Sequence, residues 1–555
     1  RVSGLYAVLA QGVGALRDGH RVLVEETGRP GRDHAGLHQR GEQVVADAGA
    51  AQLERDHGLA DGIRATSVTG FTLDNSVLNG TNGTDAPASA ASPFNEGTIK
   101  IDNLAGSATI SNTFISGGIS NNVRIDNTSA TVNRVTFTND IIGANSTNNG
   151  EDGIQLQSEN TGRILATIQN TTFTSARGDL FNFLDNAASG SADDLIFNNN
   201  TLSNNHPAIA TGGGGVTISS NGTKDFPFHM ESNTMRDAVG HAILLVKSTG
   251  AASYSGTFTG NTIGVAANNN SGSREGSGLK VQSAGQGTLT IAITNNQIHQ
   301  YNNNGIELET GGGATAQSGT FNATVTGNTV DTPGNNAATN AIPKNGIHLN
   351  GGTVPGDTFA ICTQIGGAGA LANSIATSGK DAVPPTGVGD IDFRLRQRQS
   401  TTVRLPGYAG AATDTAAVVT FVAGNNSGNG APVGLASTQA PGGGFVGGAA
   451  CTSPTTGPIT SDSTTSSLST ESVTRSIQTG VERGDGALYA AKGENPDAQN
   501  VQKLNQAEVA SMVQAAIARW AEAGLSANDV AKLLSLSVDV AARSCPRTRR
   551  IGGPR

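Results

Sequence analysis

Short runs of alternating apolar and polar residues fill the middle of the chain, from about residue 62 to residue 400. Residues 289–293 and 321–325 place an apolar side chain at every second position, which is typical of a strand with one buried face. Clusters of Gly, Asn and Ser separate successive runs and predict turns between them. The pattern therefore predicts many short strands and few helices in this part of the chain.

These runs belong to a repeat with a period of roughly 30 residues. Its first element is an apolar residue that mostly follows an Asn two positions earlier. The apolar markers are Val77, Phe114, Phe137, Phe173, Leu202, Met235, Ile263, Ile298, Val330 and Ile375. The asparagines, which form a predicted Asn column, are Asn75, Asn112, Asn200, Asn233, Asn261, Asn296, Asn328 and Asn373. The second element is a Gly or Asp followed by apolar–x–apolar, at residues 153–156, 278–281, 305–308, 346–349 and 390–393.

Strand-like segments with this period predict an all-β solenoid, and we expect a parallel β-helix of about ten coils over residues 62–410. In such a fold each short strand pairs with the same strand of the next coil, about 4.8 Å away. Asn tolerates a left-handed backbone at a tight turn, and its amide can bond to the Asn of the next coil. The Asn column is therefore predicted to be structural.

The pairing of Asn-Thr-(Phe/Ile/Val) with Gly-Ile-x-Leu resembles the right-handed parallel β-helix repeats of the pectate-lyase-like superfamily. It is most similar to the Asn/Gly/Thr-rich β-helix repeats of large bacterial surface and secreted proteins. The resemblance covers roughly residues 62–410 and implies a right-handed coil in an extracellular or cell-surface protein. It does not choose an activity, because that superfamily includes lyases, hydrolases, phage tailspikes and non-enzymatic adhesins.

Composition changes at both ends of the repeat. Residues 1–61 are rich in Arg and contain no Asn, so this atypical N-terminal segment is either foreign to the fold or a small regulatory domain. Residues 411–451 are Gly-rich and are expected to form closing strands or a cap, since the apolar run at 416–422 has strand character. Residues 452–500 are rich in Ser and Thr and are expected to be a linker.

Helical periodicity begins after the linker. Residues 501–541 are predicted to form a small helical hairpin, in which Asn505 and Glu508 outline a capping box. This part resembles a segment near the C-terminus of long bacterial repeat-containing surface proteins. It would serve either as a docking or capping element or as a partner-binding helix pair. Residues 542–555 form a basic tail with the composition of a disordered, non-native end.

The charge of the chain limits its partners. The 555 residues carry a net charge of −9, which argues against a nucleic-acid binder that would need clustered Lys and Arg. No apolar stretch reaches the roughly 18 residues of a membrane-spanning helix. Carbohydrate or extracellular matrix is the expected partner, and the oligomeric state is left open.

Motifs for metal, nucleotide or nucleophilic chemistry are absent from the sequence, so no cofactor is expected. Calcium is a weaker option at Glu151-Asp152 or Asp193-Asp194, although solvated acidic turns are favoured there. Cys362 and Cys451 can form a disulfide, but two buried thiols fit the sequence equally well.

The strand of the second repeat element offers the best candidate site. Its apolar residues point inward, so the residues between them point outward and form rows from coil to coil. The catalytic candidates in the first row are Lys280, Glu307, His348 and Asp392. The binding candidates are Gln155 in that row and Gln282, Glu309, Asn350 and Arg394 in the next row. A row of charge pairs that only stabilises the sheet is the favoured explanation.

Two functions fit these observations. The first is a non-enzymatic, adhesin-like extracellular rod of a bacterial surface or secreted protein, which presents loops and sheet faces to carbohydrate or matrix. The second is a polysaccharide lyase or glycoside hydrolase on the same scaffold, with carboxylates or a carboxylate and a base on one outer face. Only five Tyr and one Trp are available to stack on sugar rings, which favours the first function.

Overall fold

The described part of the chain, taken from a computed structural model, is a series of stacked coils. Side chains are described over residues 62–83, 97–206, 213–248, 250–313, 315–428 and 430–454, and backbone strands also at 43–47 and 52–54. The predicted helical hairpin, the basic tail and all but the first three residues of the predicted linker lie outside the described residues, as does most of the N-terminal segment.

Short strands dominate these residues. In chain order the strands and the α-helix are β1 (Gln43–Asp47), β2 (Gln52–Glu54), β3 (Ile63–Thr66), β4 (Thr69–Asp74), β5 (Val77–Leu78), β6 (Gly97–Asp102), β7 (Ala105–Ser111), β8 (Phe114–Ile115), β9 (Asn121–Asn127), β10 (Thr131–Thr138), β11 (Ile141–Ile142), β12 (Ile154–Glu159), β13 (Arg163–Gln169), β14 (Thr172–Phe173), β15 (Phe181–Asn186), β16 (Asp194–Asn198), β17 (Thr201–Ser203), β18 (Val216–Ser220), β19 (Phe226–Glu231), β20 (Thr234–Arg236), β21 (Ile243–Lys247), β22 (Ser253–Thr259), β23 (Thr262–Ile263), β24 (Leu279–Ser283), β25 (Thr288–Thr294), β26 (Gln297–His299), β27 (Asn304–Thr310), β28 (Thr320–Thr326), β29 (Thr329–Asp331), β30 (Asn345–Gly351), β31 (Ala360–Ile365), β32 (Phe393–Gln397), β33 (Thr402–Arg404), α1 (Thr415–Gly424), β34 (Gly434–Ser437) and β35 (Gly444–Val446). Two short 3-10 turns lie at Ala337–Thr339 and Gly369–Leu371.

The strands form three long sheets, and from β3 to β31 each sheet takes every third strand. The first sheet runs from β1 and β4 to β35, the second from β2 and β3 to β34, and the third from β5 to β29. From β3 to β29 each coil passes through the second, first and third sheets in turn. From β3 onward every pairing between named strands is parallel. This confirms the predicted all-β parallel β-helix.

Stacked apolar side chains fill the inside of the coils. One column of the second sheet, aligned residue by residue, consists of Leu156, Phe183, Ile218, Leu245, Val281, Leu308, Leu349 and Leu395. All of these side chains are buried. Aromatic rings cluster in the middle coils, where the rings of Phe183 and Phe226 are 4.9 Å apart and those of Phe226 and Tyr254 are 5.0 Å apart. Each coil therefore buries its apolar face against its neighbours.

A ladder of buried asparagines joins the later coils. It consists of Asn200, Asn233, Asn261, Asn296, Asn328, Asn373 and Asn426. From Asn200 to Asn373, both Nδ2 and the main-chain N of each residue donate to Oδ1 of the next ladder residue, at 2.8–3.2 Å. Nδ2 of each also donates to a main-chain carbonyl of the preceding coil. The ladder thus satisfies buried polar groups at the same turn of each coil.

The left-handed turn residues form a separate column, one position earlier. It consists of Asn75, Asn112, Asn139, Asn170, Asn199, Ser232, Gly260, Asn295 and Gly327, with φ between 49° and 68°. Asn75 and Asn112 therefore do not belong to the ladder, whose position in their coils is held by Ser76 and Thr113. The structure corrects the expectation that one Asn column serves as both turn and ladder, because the two roles fall on adjacent residues.

The C-terminal end of the coil carries the helix α1. The apolar run at residues 416–422 was expected to be strand-like, but Asp414 caps a helix by accepting a hydrogen bond from Ala417 N at 2.9 Å. Val418 and Val422 lie one turn apart and are buried. A short apolar run fits either a strand or a buried helix, and the cap decides between them here. Among the described residues no helix is long and apolar enough to span a membrane.

A disulfide ties this end to an earlier coil. Cys362 in β31 is bonded to Cys451, which follows β35, with 5.5 Å between their Cα atoms. At the other end, β1 and β2 pair antiparallel with β4 and β3. These two strands come from the segment that composition sets apart, and they cover the edges of the first coil.

Candidate functional site

The outward-facing row of the second sheet brings together three of the four catalytic candidates. Lys280 pairs with Glu307, and Glu307 pairs with His348, on successive strands β24, β27 and β30. The next member of the row is Arg394 in β32, which pairs with His348. Asp392 is not in the row, because Phe393 and Leu395 are the inward residues aligned with Ile347 and Leu349.

Asp392 instead holds a turn. Its Oδ1 accepts a hydrogen bond from Gly379 N at 3.0 Å, and its Oδ2 accepts one from Val433 N at 2.8 Å. The side chain is buried, so it does not face the sheet surface. The expected role of Asp392 on the outer face is therefore corrected.

The second outward row shifts in the same way. Gln282 pairs with Glu309, Glu309 with Asn350, and Asn350 with Arg396, which takes the place expected for Arg394.

Gln155 lies in the first row but four strands before Lys280, at roughly 19 Å for a strand spacing of about 4.8 Å. Its Oε1 accepts a hydrogen bond from Arg124 Nη1 at 3.1 Å. Gln155 is thus remote from the other candidates.

Lys280 forms ion pairs with both glutamates. Lys280 Nζ lies 3.1 Å from Glu307 Oε1 and 2.8 Å from Glu309 Oε2. Burial opposes the ammonium, but the two carboxylates outweigh it and raise the pKa of Lys280. Burial also opposes the charge of Glu307, but Lys280 and a 2.5 Å bond from Ser277 Oγ lower the pKa of its carboxyl. This end of the row fits the charge-pair explanation.

Three arginines at the other end have no such partners. Arg394, Arg396 and Arg398 lie at alternate positions along β32 and just beyond it, and all three are partly exposed. No described residue forms an ion pair or a side-chain hydrogen bond with their guanidinium groups. Burial lowers the pKa of Arg394, which Asp381 partly offsets, and burial with the neighbouring arginines lowers that of Arg396. We call these three residues the arginine strip.

Polar atoms beside the arginine strip are also unsatisfied. His348 Nε2, Asn350 Oδ1, Arg394 Nε and Asn345 Oδ1 are buried, and none has a hydrogen-bond partner in the part of the chain that the structure describes. Burial lowers the pKa of His348 to about 4, and the arginines add to this against the opposing effect of Glu307. His348 is therefore neutral near pH 7. Buried groups without partners are rare in folded proteins, and four of them lie together beside the arginine strip.

The two possible calcium sites have structural partners instead. Glu151 accepts a hydrogen bond from Ser120 Oγ at 2.9 Å, and Asp152 accepts one from Asp179 N at 2.8 Å. Asp193 accepts one from Ile164 N at 2.7 Å, and Asp194 pairs with an arginine at 2.5 Å. Over the described residues no group of three or more His, Cys, Asp or Glu is arranged to hold a metal.

Sequence reasoning missed Arg396 and Arg398. The signal was present as Phe-Arg-Leu-Arg-Gln-Arg at residues 393–398, where Arg occupies every second position. It also missed His241, whose Nδ1 accepts a hydrogen bond from Ser277 N at 3.0 Å behind the Lys280–Glu307 pair.

No protein-family model, curated protein or solved structure matches the chain. The site must therefore be interpreted from its own chemistry.

Proposed function

We propose that the chain is a non-enzymatic, adhesin-like extracellular rod of a bacterial surface or secreted protein, which binds acidic carbohydrate on the outer face of its second sheet. The observation that carries the proposal is the arginine strip, whose three guanidinium groups form no ion pair or side-chain hydrogen bond with the described residues. The pectate-lyase-like resemblance of the repeats supports the same interpretation, since proteins of that kind present an outer sheet face to polysaccharides.

The chemistry of the arginine strip favours carboxylate or sulfate groups. A guanidinium binds such groups through two parallel hydrogen bonds and is always charged. Alternate residues of one strand lie about 6.6 Å apart, so the strip offers a line of cationic sites along β32. His348 and Asn350 are partly buried polar residues of β30 on the same sheet face beside it. The strip stands out on a chain whose net charge is −9.

An extracellular location rests on two observations. The Cys362–Cys451 disulfide is typical of proteins from oxidising compartments. A solenoid whose coils contact only their neighbours forms a long, repetitive surface, which suits a displayed or secreted rod.

Binding should be measured with polygalacturonate, alginate and heparin, and with neutral dextran as the comparison polymer. We expect binding of at least one acidic polymer, weakening as salt rises, and none of dextran. Arg396→Gln should weaken binding by about tenfold or more, because a charge-assisted hydrogen bond contributes about 1.5–3 kcal/mol. Arg236→Gln, an exposed arginine in β20 of the third sheet, is the matched control. Equal binding by wild type and Arg396→Gln would contradict the proposal.

A second candidate function is lyase activity on the same acidic polymers. His348 favours it, because a neutral imidazole next to Arg394 could act as a base toward a sugar whose carboxylate Arg394 neutralises. Glu307 does not favour a glycosidase, because its carboxylate already forms an ion pair with Lys280 and accepts a hydrogen bond from Ser277. Unsaturated products in the polygalacturonate or alginate reactions, lost in His348→Ala with binding retained, would favour the lyase.

A further inference from the structure

A buried polar group lies at the corner where the second sheet passes into the first. Asp185 lies at an inward position of β15, while Asp193 and Lys224 stand just before β16 and β19. The side chains of Asp193 and Lys224 are 0% and 1% exposed. A fully buried pair of ionisable groups costs desolvation free energy and therefore needs a physical explanation.

The fold holds the amine and the carboxyl of this pair side by side. Lys224 Nζ lies 3.5 Å from Asp193 Oδ1 and donates a hydrogen bond to the carbonyl oxygen of Gly162. Two other donors fix the carboxyl of Asp193: Ile164 N donates to Oδ1 at 2.7 Å, and Ser158 Oγ donates to Oδ2 at 2.5 Å. Neither partner can turn toward solvent.

Asp185 adds a second carboxyl that is linked to the first. Its Oδ2 accepts a hydrogen bond from Tyr254 Oη at 2.8 Å, and its Oδ1 lies 3.4 Å from Ser158 Oγ. Ser158 therefore bridges Asp185 and Asp193. Burial raises the pKa of Asp185 and raises that of Asp193 to about 6, although Lys224 opposes both shifts. The surroundings thus favour the protonated, neutral forms of the two carboxyl groups.

We propose that Lys224 and Asp193 become joined by an amide bond between Nζ and Cγ, a covalent modification that links two successive coils. One proton passes from the ammonium to the carboxylate, which gives a neutral amine and a carboxylic acid. Nζ then attacks Cγ and forms the N–C bond. The C–OH bond breaks, and the hydroxyl leaves with a second proton from the amine as one molecule of water. Ser158 and Asp185 are placed to relay that proton.

This reaction needs no oxidant, reductant or co-reactant. The fold replaces an encounter between two molecules with a fixed contact, which can supply much of the barrier reduction. The product removes a buried ion pair and joins residues 31 positions apart with a bond that unfolding cannot break. The inference goes beyond the proposed binding function and does not depend on any ligand.

Mass spectrometry of the full chain tests the proposal. After reduction of the disulfide, the intact mass should be lower than the sequence mass by one water. The sequence has no Lys or Arg between Arg177 and Lys224, and the next one is Arg236. An amide on Lys224 blocks tryptic cleavage there, so we expect a single peptide of residues 178–236 that is one water lighter. The full sequence mass with complete cleavage after Lys224 would overturn the proposal.

Variants assign the bond to its partners. Asp193→Ala should restore the full mass and cleavage after Lys224, and a retained loss of water in this variant would also refute the proposed bond. Lys247→Met is the matched control, because Lys247 is a buried lysine whose Nζ donates only to the carbonyls of Gly250 and Gln286 in the described chain. It should leave the loss of water unchanged. Asp185→Asn should slow bond formation, and an unchanged rate would exclude the proposed relay while leaving the wild-type mass to decide the bond.

Discussion

Replacing Asn261 with Ala removes one complete rung of the asparagine ladder. Asn261 Nδ2 donates to Asn296 Oδ1 at 2.9 Å and to Met230 O at 3.0 Å. Its Oδ1 accepts from Asn233 N at 3.0 Å and from Asn233 Nδ2 at 2.8 Å. All four bonds are lost in the variant, whereas the bond from Asn261 N to Asn296 Oδ1 does not need the side chain.

The expected loss follows from these four bonds. A typical hydrogen bond contributes about 1 kcal/mol net, and a buried group left without a partner costs about 1–3 kcal/mol. Asn261 is fully buried, so water replaces the lost partners poorly. We expect the free energy of unfolding to fall by about 3–4 kcal/mol. Backbone strain adds nothing to this, because the left-handed residue at this turn is Gly260.

Urea unfolding followed by circular dichroism measures the change. Asn295→Gly is the matched control, since Asn295 lies in the left-handed column, is exposed and adopts a φ of 57° that glycine accepts freely. Its free energy of unfolding should stay within about 0.5 kcal/mol of the wild type. A loss below about 1 kcal/mol in Asn261→Ala would refute the reasoning, because it would mean that neighbouring groups replace the rung.

Two further predictions concern titration and covalent closure. Burial raises the pKa of Asp140 from 3.8 to about 7, so the stability from its protonated form is complete below pH 3.8 and is lost as the pH rises through 7. Asp140→Asn should therefore flatten the fall in Tm across that range, and an unchanged pH profile would contradict the assignment. Cys451→Ser should lower the free energy of unfolding by about 2–5 kcal/mol in urea, matching the loss on reduction of the wild type. Equal stability of the oxidised and reduced chains would show that the bond constrains little.

The sequence was sufficient to predict the β-helix, but it could not assign different roles to adjacent residues. Alternation and period fixed the strands, since a buried face demands apolar side chains at every second position. Asn serves equally well in a left-handed turn and in an amide ladder, so Asn75 and Asn261 could not be told apart. In the last predicted repeat, residues 390–393 copy the motif in the wrong register. Packing of Phe393 and Leu395 above Ile347 and Leu349 decided the register, and that packing is a contact between coils.

Charges on the outer face of the second sheet follow two different arrangements. Near the N-terminal end, Lys100 Nζ lies 2.7 Å from Asp102 and also pairs with Asp126, which in turn binds Arg124 at 2.8 Å. Near the C-terminal end, the arginine strip forms no ion pair with an acidic side chain among the described residues, and only Asp381 acts on it, on Arg394 from a distance. Opposite charges on neighbouring strands stabilise a sheet, as near the N-terminal end. Like charges close together destabilise it, so the arginine strip does not fit a purely stabilising role.

The two arrangements predict opposite effects on stability. Lys100→Gln should lower the free energy of unfolding by about 1 kcal/mol or more, because it removes a buried cation that Asp102 and Asp126 share and leaves them only Arg64 and Arg124. Arg396→Gln should leave it unchanged or raise it by up to about 1 kcal/mol, because it relieves repulsion from Arg394 and Arg398 about 6.6 Å away. Thermal and urea unfolding of the two variants side by side makes the comparison. Clustered like charges that lower stability are expected to be retained for binding. A loss of stability in Arg396→Gln as large as that in Lys100→Gln would therefore show that the arginine strip is structural. That result would remove the main support for the proposed acidic ligand.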